Sequence, residues 1–241
     1  MPVKITVRSG LRRSGLFNTE QDMKRAVKEK RVCYKGKPVH ELGFLFSPKQ
    51  GIFVDSQKLE LLPLRYFVIN KPHTTTCQKN EKYPYIVDLI RVDEQTKKTL
   101  FTVGRLDVPT TGLLIVTNDG KLAQKILQPA KEITKKYKVL LKQPLADPMI
   151  ASLENGVTIL VDGKPYTTKP AAVEKIDKQN CFIAITEGKY RQVRLMFEAV
   201  GNRVMALCRV QIGELKLDEL QLDEGNYVEM KKEELEKRVF V

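Results

Sequence analysis

Three short stretches carry side chains whose types and spacing could do chemistry. The first is VGRLDVPTTGLLIVTNDG, residues 103–120. Gly104 and Gly112 bracket it, and Pro109 biases Val108 away from helical geometry. Asp107 therefore sits in a loop or strand end, just ahead of an apolar strand. Arg105 is two residues away and points to the same side in an extended chain. An ionised carboxylate there can serve as nucleophile or base, although an isolated loop aspartate is more commonly a turn or cap residue. The second stretch is TEGKYRQVRLMFEAVGNRV, residues 186–204. Lys189, Arg191 and Arg194 fall at or near the start of a predicted helix, away from its apolar stripe. Arg194 could pair with Glu198 four residues on, for about 0.3 kcal/mol. It could instead grip a carboxylate or a phosphate bidentately. The third is Lys135-Lys136-Tyr137 at the start of a strand, where a ring could close a sheet edge or stack on an extruded base. Asn70-Lys71-Pro72 ends another strand and reads by itself as a turn.

The elements that must position these groups follow from periodicity. Tyr66–Asn70 is an apolar strand stopped by Lys71-Pro72, and Gly112–Thr117 is a buried strand turned by Asn118-Asp119-Gly120. Residues 121–127 form a helix ended by Pro129, and residues 137–142 a strand. Residues 146–155 form a helix with Met149, Ile150 and Leu153 inward and Gly156 as its stop. AAVEKI and FIAIT read as strands. In the helix over residues 192–200, Val193, Met196, Phe197 and Val200 recur at i, i+3, i+4 and i+7. RVMALCRVQIG closes with a long strand. Strands outnumber helices without regular βαβ alternation, so the expected class is α+β with a mostly antiparallel or mixed sheet and flanking helices. Ahead of it, residues 22–30 put Met23, Ala26 and Val27 on one face of a short helix. RVCYKGKPV, GIFVD and KLELL follow as short strands, making a small N-terminal α/β module. Residues 1–18 show no clear period. The boundary falls near Leu62-Pro63-Leu64, giving domains 1–62 and 63–241.

Composition narrows the chemistry. The chain has 241 residues with 42 Lys+Arg against 29 Asp+Glu, a net charge of +13. Such a field attracts a polyanion, with salt-dependent binding. It is densest at the N-terminus, where residues 1–62 hold 13 basic against 6 acidic side chains. Cys33, Cys77, Cys181 and Cys208 have no C-x-x-C spacing, so neither a disulfide framework nor a zinc knuckle is supported. His40 and His73 are too few for a histidine-rich metal site. There is no G-x-x-x-x-G-K-[ST] and no G-x-G-x-x-G, so nucleotide-cofactor chemistry has no visible support. No apolar run approaches the roughly 18 residues of a membrane span, nor does the N-terminus hold a signal-peptide core. The expectation is a cytoplasmic protein without membrane attachment.

Taken in order, four motifs resemble one family. G-R-L-D-x-x-T-x-G-L-L-x-x-T-N-D-G at 104–120 is similar to the signature of pseudouridine synthases of the RsuA/RluB type. So are N-K-P at 70–72, K-x-Y at 135–137, and E-G-K-Y-R-Q-V-R-x-M-F with A-V-G-N at 187–202. The last stretch resembles the branch that modifies small-subunit ribosomal RNA. Residues 22–60 resemble a small RNA-binding module shared with a small-subunit ribosomal protein, whose opening helix MPVKITVRSGLRRSGLFN does not match. A second departure follows N-K-P: where the family usually has a glycine two residues on, this chain has Thr74.

The resemblance implies an isomerase that breaks the N1–C1′ bond of a uridine in ribosomal RNA and rejoins the base through C5, with no metal or cofactor. It implies Asp107 as the catalytic carboxylate and Arg194 as its cationic partner. Tyr137 would stack on the target base, and Arg105 would hold the displaced nucleotide or its phosphate. Asn70, Lys71, Lys189 and Arg191 complete the expected substrate-binding set. The partner would be ribosomal RNA or an assembling subunit, met by a monomer. The alternative is a non-catalytic RNA-binding or ribosome-assembly protein that keeps the fold. A hydrolase using Asp107 and one of the histidines has no supporting spacing.

Overall fold

A computed structural model describes residues 4–17 and 19–240. The chain divides into two compact units. The first comprises residues up to Arg65, with Ile90–Phe101 and Thr117–Gly120; the second comprises Tyr66–Leu89, Thr102–Val116 and Lys121 onward.

The first unit opens with β1 (Ile5–Thr6) and helix α1 (Val7–Arg13). The absence of a readable period over residues 1–18 is thus corrected for most of the stretch, while residues 1–3 and 18 lie outside the described residues. The helix is two turns long and buries only Val7, Gly10 and Leu11, too little for periodicity to show. Thr6 caps it by accepting from the Ser9 amide at 3.2 Å. A Cβ on Gly10 would stand 2.7 Å from the Phe46 ring, so the helix packs there because that residue is glycine. Helix α2 (Glu20–Lys28) starts with a reciprocal capping box between Thr19 and Asp22 and buries Met23, Ala26 and Val27, the stripe its spacing predicts. β2 (Val32–Tyr34) and β3 (Lys37–Pro38) form the hairpin expected around Lys35-Gly36. β4 (Leu45–Phe46) pairs with β1. β5 (Phe53–Val54) and β6 (Gln57–Lys58) complete a four-stranded sheet in the order β3-β2-β5-β6. KLELL, expected to be a strand, contributes only Lys58 to one. Helix α3 (Glu94–Thr99), capped by Asp93, also belongs to this unit.

The second unit is built on one large sheet. Its strands are β7 (Tyr66–Lys71), β8 (Phe101–Thr102), β9 (Thr110–Thr117), β10 (Lys135–Leu141), β13 (Ala172–Lys175), β14 (Asn180–Ile185), β15 (Val204–Ile212), β16 (Leu215–Lys216) and β17 (Tyr227–Glu229). Between β10 and β13 lies a separate hairpin of β11 (Thr158–Val161) and β12 (Lys164–Thr167). The sheet order is β13-β14-β10-β15-β9-β7-β17, with β16 beside β15 and β8 beside β9. Helices α4 (Gly120–Leu127), α5 (Asp147–Asn155), α6 (Gln192–Ala199) and α7 (Lys232–Val239) flank it. The class is α+β with a mixed sheet: β10 runs antiparallel to both β14 and β15, whereas β15 and β9 run parallel. β7 and most of β9 are buried along their length, as continuous apolar runs require. Of the residues expected inward on α5, Leu153 is buried and Met149 and Ile150 are half-buried. Among the described residues no helix is long and apolar enough to cross a membrane.

The parallel contact depends on one glycine. Gly112 sits opposite Arg209 with φ of +103°, and a Cβ there would lie 2.3 Å from the Arg209 carbonyl oxygen. Side chains rarely adopt that φ, and the strands could not close. Gly112→Ala should therefore cost at least about 2 kcal/mol, measured as the loss in unfolding free energy in urea.

Candidate active site

The loop between β8 and β9 is fixed from two directions. Lys71 at the end of β7 is fully buried. Its ammonium donates to the carbonyls of Pro72 and Val108, each at 3.1 Å, and of Thr110 at 2.9 Å. It thereby ties the turn after β7 to the loop that carries Asp107. Burial lowers the Lys71 pKa, opposed by Cys77, Asp107 and Glu224. On the other side, the Leu106 amide lies 3.4 Å from Cys77 Sγ, and the thiol lies 3.5 Å from the Leu106 carbonyl. Burial pushes this thiol up, which keeps it protonated as a donor. Thr110 N donates to the Asp107 carbonyl at 3.0 Å, closing the loop on itself. Thr74 occupies the left-handed region at φ of +64°. The threonine thus takes a conformation that suits glycine, at the cost of strain in a β-branched residue.

Helix α6 brings the guanidinium. It starts at Arg191, itself left-handed at φ of +50°, and buries Val193, Met196 and Phe197. Arg194 lies on the buried side too, so the expectation of a position away from the apolar stripe is corrected. The side chain is anchored by its own donors: Nη1 to the Val204 carbonyl at 3.3 Å and Nη2 to Thr110 Oγ1 at 3.5 Å. Its Nε lies 3.8 Å from Asp107 Oδ2, with the two side chains 10% and 27% exposed. That is an ion pair but too long for a hydrogen bond, and Arg194 Nε has no hydrogen-bond partner. Burial lowers the Arg194 pKa and Asp107 opposes it, so the carboxylate compensates the cost of placing the cation there.

A pocket of about 140 Å³ opens at this pair. Its walls include Asp107, Arg194, Tyr137, Lys135 and Arg209, with Leu106, Ile185, Val193 and Leu207 as apolar lining. Alternation along β10 places Lys135 and Tyr137 on one face. Tyr137 is buried and stands opposite Arg209 in the β10–β15 register. An outer cleft of about 520 Å³ shares the 104–107 loop and adds Gln78, Gly188, Lys189 and Arg191. Arg105 is exposed there, its Nη1 3.0 Å from Gln78 Oε1. Lys189 lies over the Tyr166 ring, 4.5 Å from its centroid.

The expected residues therefore sort into groups. Asp107, Arg194, Tyr137, Arg105, Lys189 and Arg191 line the pocket or its outer cleft. Asn70 and Lys71 line neither. Asn70 donates from Nδ2 to the Leu222 carbonyl at 2.7 Å, and Lys71 is occupied with loop carbonyls. Both brace backbone rather than face the cleft. Neither His40 nor His73 lines the pocket, and both are exposed, so no histidine is placed for a hydrolase. Sequence reasoning missed Lys135 and Arg209 as pocket residues. Period-two alternation from Tyr137 would have found the first, but nothing local marks the second. Lys135 donates to the Ile133 carbonyl at 2.8 Å, and burial, then the nearby Arg209, brings its pKa down to about 8.

Comparison with known proteins places these features in context. Residues 65–199 match the model of the RNA pseudouridylate synthase family. The chain is 35% identical over 213 residues to the ribosomal small subunit pseudouridine synthase A of Yersinia pestis, covering 88% of each chain. It is 34% identical over 223 residues to the protein of the same name from Haemophilus influenzae, covering 92% of this chain and 94% of that one. A solved pseudouridylate synthase structure superposes with a TM-score of 0.69 at 34% identity, covering 98% of this chain and all of the other.

Two measurements check the geometry. Lys71→Met leaves three carbonyls without their donor, so turnover should fall at least about tenfold while RNA affinity stays within about twofold; unchanged turnover would remove the bracing role. Lys135 titrates near 8 in the fold, against its ordinary 10.5. Between those values the unfolded chain binds more protons, so this group makes stability rise with pH across that window. The rise in unfolding free energy from pH 7.5 to 9.5 should shrink in Lys135→Met.

Proposed function

The chain belongs to the RNA pseudouridylate synthase family, and on that premise we propose that it isomerises one specific uridine of small-subunit ribosomal RNA in the cytoplasm. The reaction breaks N1–C1′, forms C5–C1′, moves the C5 proton off the base and protonates N1. Atoms balance without a co-reactant. The observation that carries the residue assignment is the Asp107–Arg194 pair, 3.8 Å apart at the edge of the pocket.

The uridine is reached only when extruded from its stack, which costs a few kcal/mol and is offset by contacts to base and backbone. Arg105, Lys189 and Arg191 in the outer cleft are the phosphate contacts, and the basic first 62 residues extend the grip on RNA. The base enters the inner pocket against Tyr137, which lines it and assists removal of the C5 proton. Asp107 acts as an ionised carboxylate whether it attacks the ribose C1′ or the base. Arg194 aims it, since its guanidinium is held by Val204 and Thr110 rather than free to swing. A monomer suffices, as the pocket is lined within one unit.

The test is modification of small- and large-subunit ribosomal RNA fragments in vitro, with pseudouridine mapped at single-nucleotide resolution. The expected product is one pseudouridine in the small-subunit RNA. Asp107→Asn should lower its formation by at least about 10³-fold with RNA affinity within about threefold. Near wild-type turnover in that variant would remove Asp107 from its role, and binding without product from the unaltered protein would favour a pure RNA-binding function.

A further inference from the structure

Among the described residues, three buried side-chain polar atoms lack a hydrogen-bond partner, and two of them belong to guanidiniums lining the inner pocket. Arg194 Nε has Asp107 at ion-pair distance. Arg209 Nη2 has no acceptor, although Arg209 is only 4% exposed. A buried donor left unpaired is costly, more so on a charged group. A fold tolerates that where a ligand supplies the missing acceptor.

We propose that Arg209 is a substrate-recognition residue whose Nη2 donates to a carbonyl oxygen of the extruded uracil, with the Lys135 ammonium beside it in the pocket. The assignment rests on the isomerase reading above and deepens it. Three features aim the guanidinium. Its Nε donates to the Leu113 carbonyl at 2.8 Å, which fixes the plane of the head group. Its backbone is pressed against Gly112, which fixes the stem. Its position in the register is opposite Tyr137, so a base lying against that ring presents an edge within reach. Such a donor is pre-organised and requires an acceptor.

The pocket's size and lining choose among acceptors. A phosphodiester stays with the RNA backbone, which the outer cleft receives through Arg105, Lys189 and Arg191. The inner pocket, about 140 Å³ with much apolar lining, takes what the backbone presents. Uracil presents O2 and O4, both acceptors. Lys135 and Arg209 present only donors to it. Cytosine carries an amino donor in place of O4, so a contact to O4 would also reject cytosine.

The experiment measures single-turnover rates on ribosomal RNA fragments carrying uridine, 2-thiouridine or 4-thiouridine at the modified position. Sulfur accepts hydrogen bonds more weakly than oxygen. The wild-type protein should react roughly fivefold or more slowly with one thio-substrate and not the other, identifying the contacted oxygen. Arg209→Gln should slow uridine by a similar factor and no longer distinguish that thio-substrate. Because this variant also loses the Leu113 contact, its unfolding midpoint is measured alongside; the wild-type comparison needs no variant. Lys135→Met, which spares that contact, should reduce the same discrimination. Wild-type rates within twofold on all three substrates, or an equal slowing of all three by Arg209→Gln, would overturn the assignment and leave the isomerase activity standing. Absence of turnover on uridine by the wild type would instead overturn the isomerase reading, and this assignment with it.

Discussion

Asp107 and Arg194 come from segments nearly ninety residues apart, and their approach to 3.8 Å is the interaction on which the pocket depends. Neither charge could be buried alone, because an uncompensated charge in a low-dielectric wall is more costly than its exposed form. Partial burial makes each useful to the other. The carboxylate compensates a cation that burial alone would disfavour, and the guanidinium gives the carboxylate a fixed counter-charge. The pair is nevertheless left loose. Arg194 spends Nη1 and Nη2 on Val204 and Thr110 and keeps Nε without a hydrogen bond. A tight bidentate pair would be more stable, since both carboxylate oxygens would be occupied, whereas here the carboxylate keeps an oxygen open.

The rest of the second unit serves to hold that distance. Lys71 gathers three carbonyls around the loop, Cys77 engages Leu106, and Thr110 both closes the loop and receives Arg194. One residue thus links the loop's own hydrogen bonding to the partner's position. Behind it, the parallel contact of β9 with β15 requires Gly112, and on β15 the same contact sets Arg209. A displacement of β9 would therefore move the carboxylate loop and the guanidinium at the back of the pocket together.

What was legible in the sequence follows from which forces leave a local trace. The α6 stripe of Val193, Met196 and Phe197 is buried as its spacing requires, and Pro109 with two glycines kept Asp107 out of a helix. The α+β class followed from the order of apolar runs. Helix α1 was not readable because seven residues with two buried apolar side chains carry no usable period. Lys71 reads locally as the end of a strand, and its three acceptors are up to 39 residues away. The buried orientation of Arg194 was not legible, because a charged residue on an apolar flank is normally solvated, although its pairing with Asp107 is the one expected. The tertiary arrival of Asp107, together with the Val204 carbonyl and Thr110 Oγ1, makes the buried orientation tolerable. Arg209 left no signal, since a cation in a strand looks the same whether its head is in water or in a pocket.

The distribution of charge separates two tasks that a net +13 would otherwise blur. Exposed lysines and arginines act at long range: they attract phosphates, and salt screens them within roughly 10 Å. The cations of the inner pocket cannot do this, because burial and protein acceptors hold them in place. They act at contact distance and in a medium that strengthens each interaction. Burying them is costly, as burial lowers the Lys135 pKa and leaves an Arg209 donor without an acceptor. A solitary RNA-binding surface has no reason to keep such groups below the surface, where they reach no phosphate and reduce stability. Their retention beside the Asp107 carboxylate is understandable if charge on a base must be met from a fixed direction. The unsatisfied donors, the loose ion pair and the braced loop then share one cause: a cavity arranged for the substrate's polarity rather than for the protein's own stability.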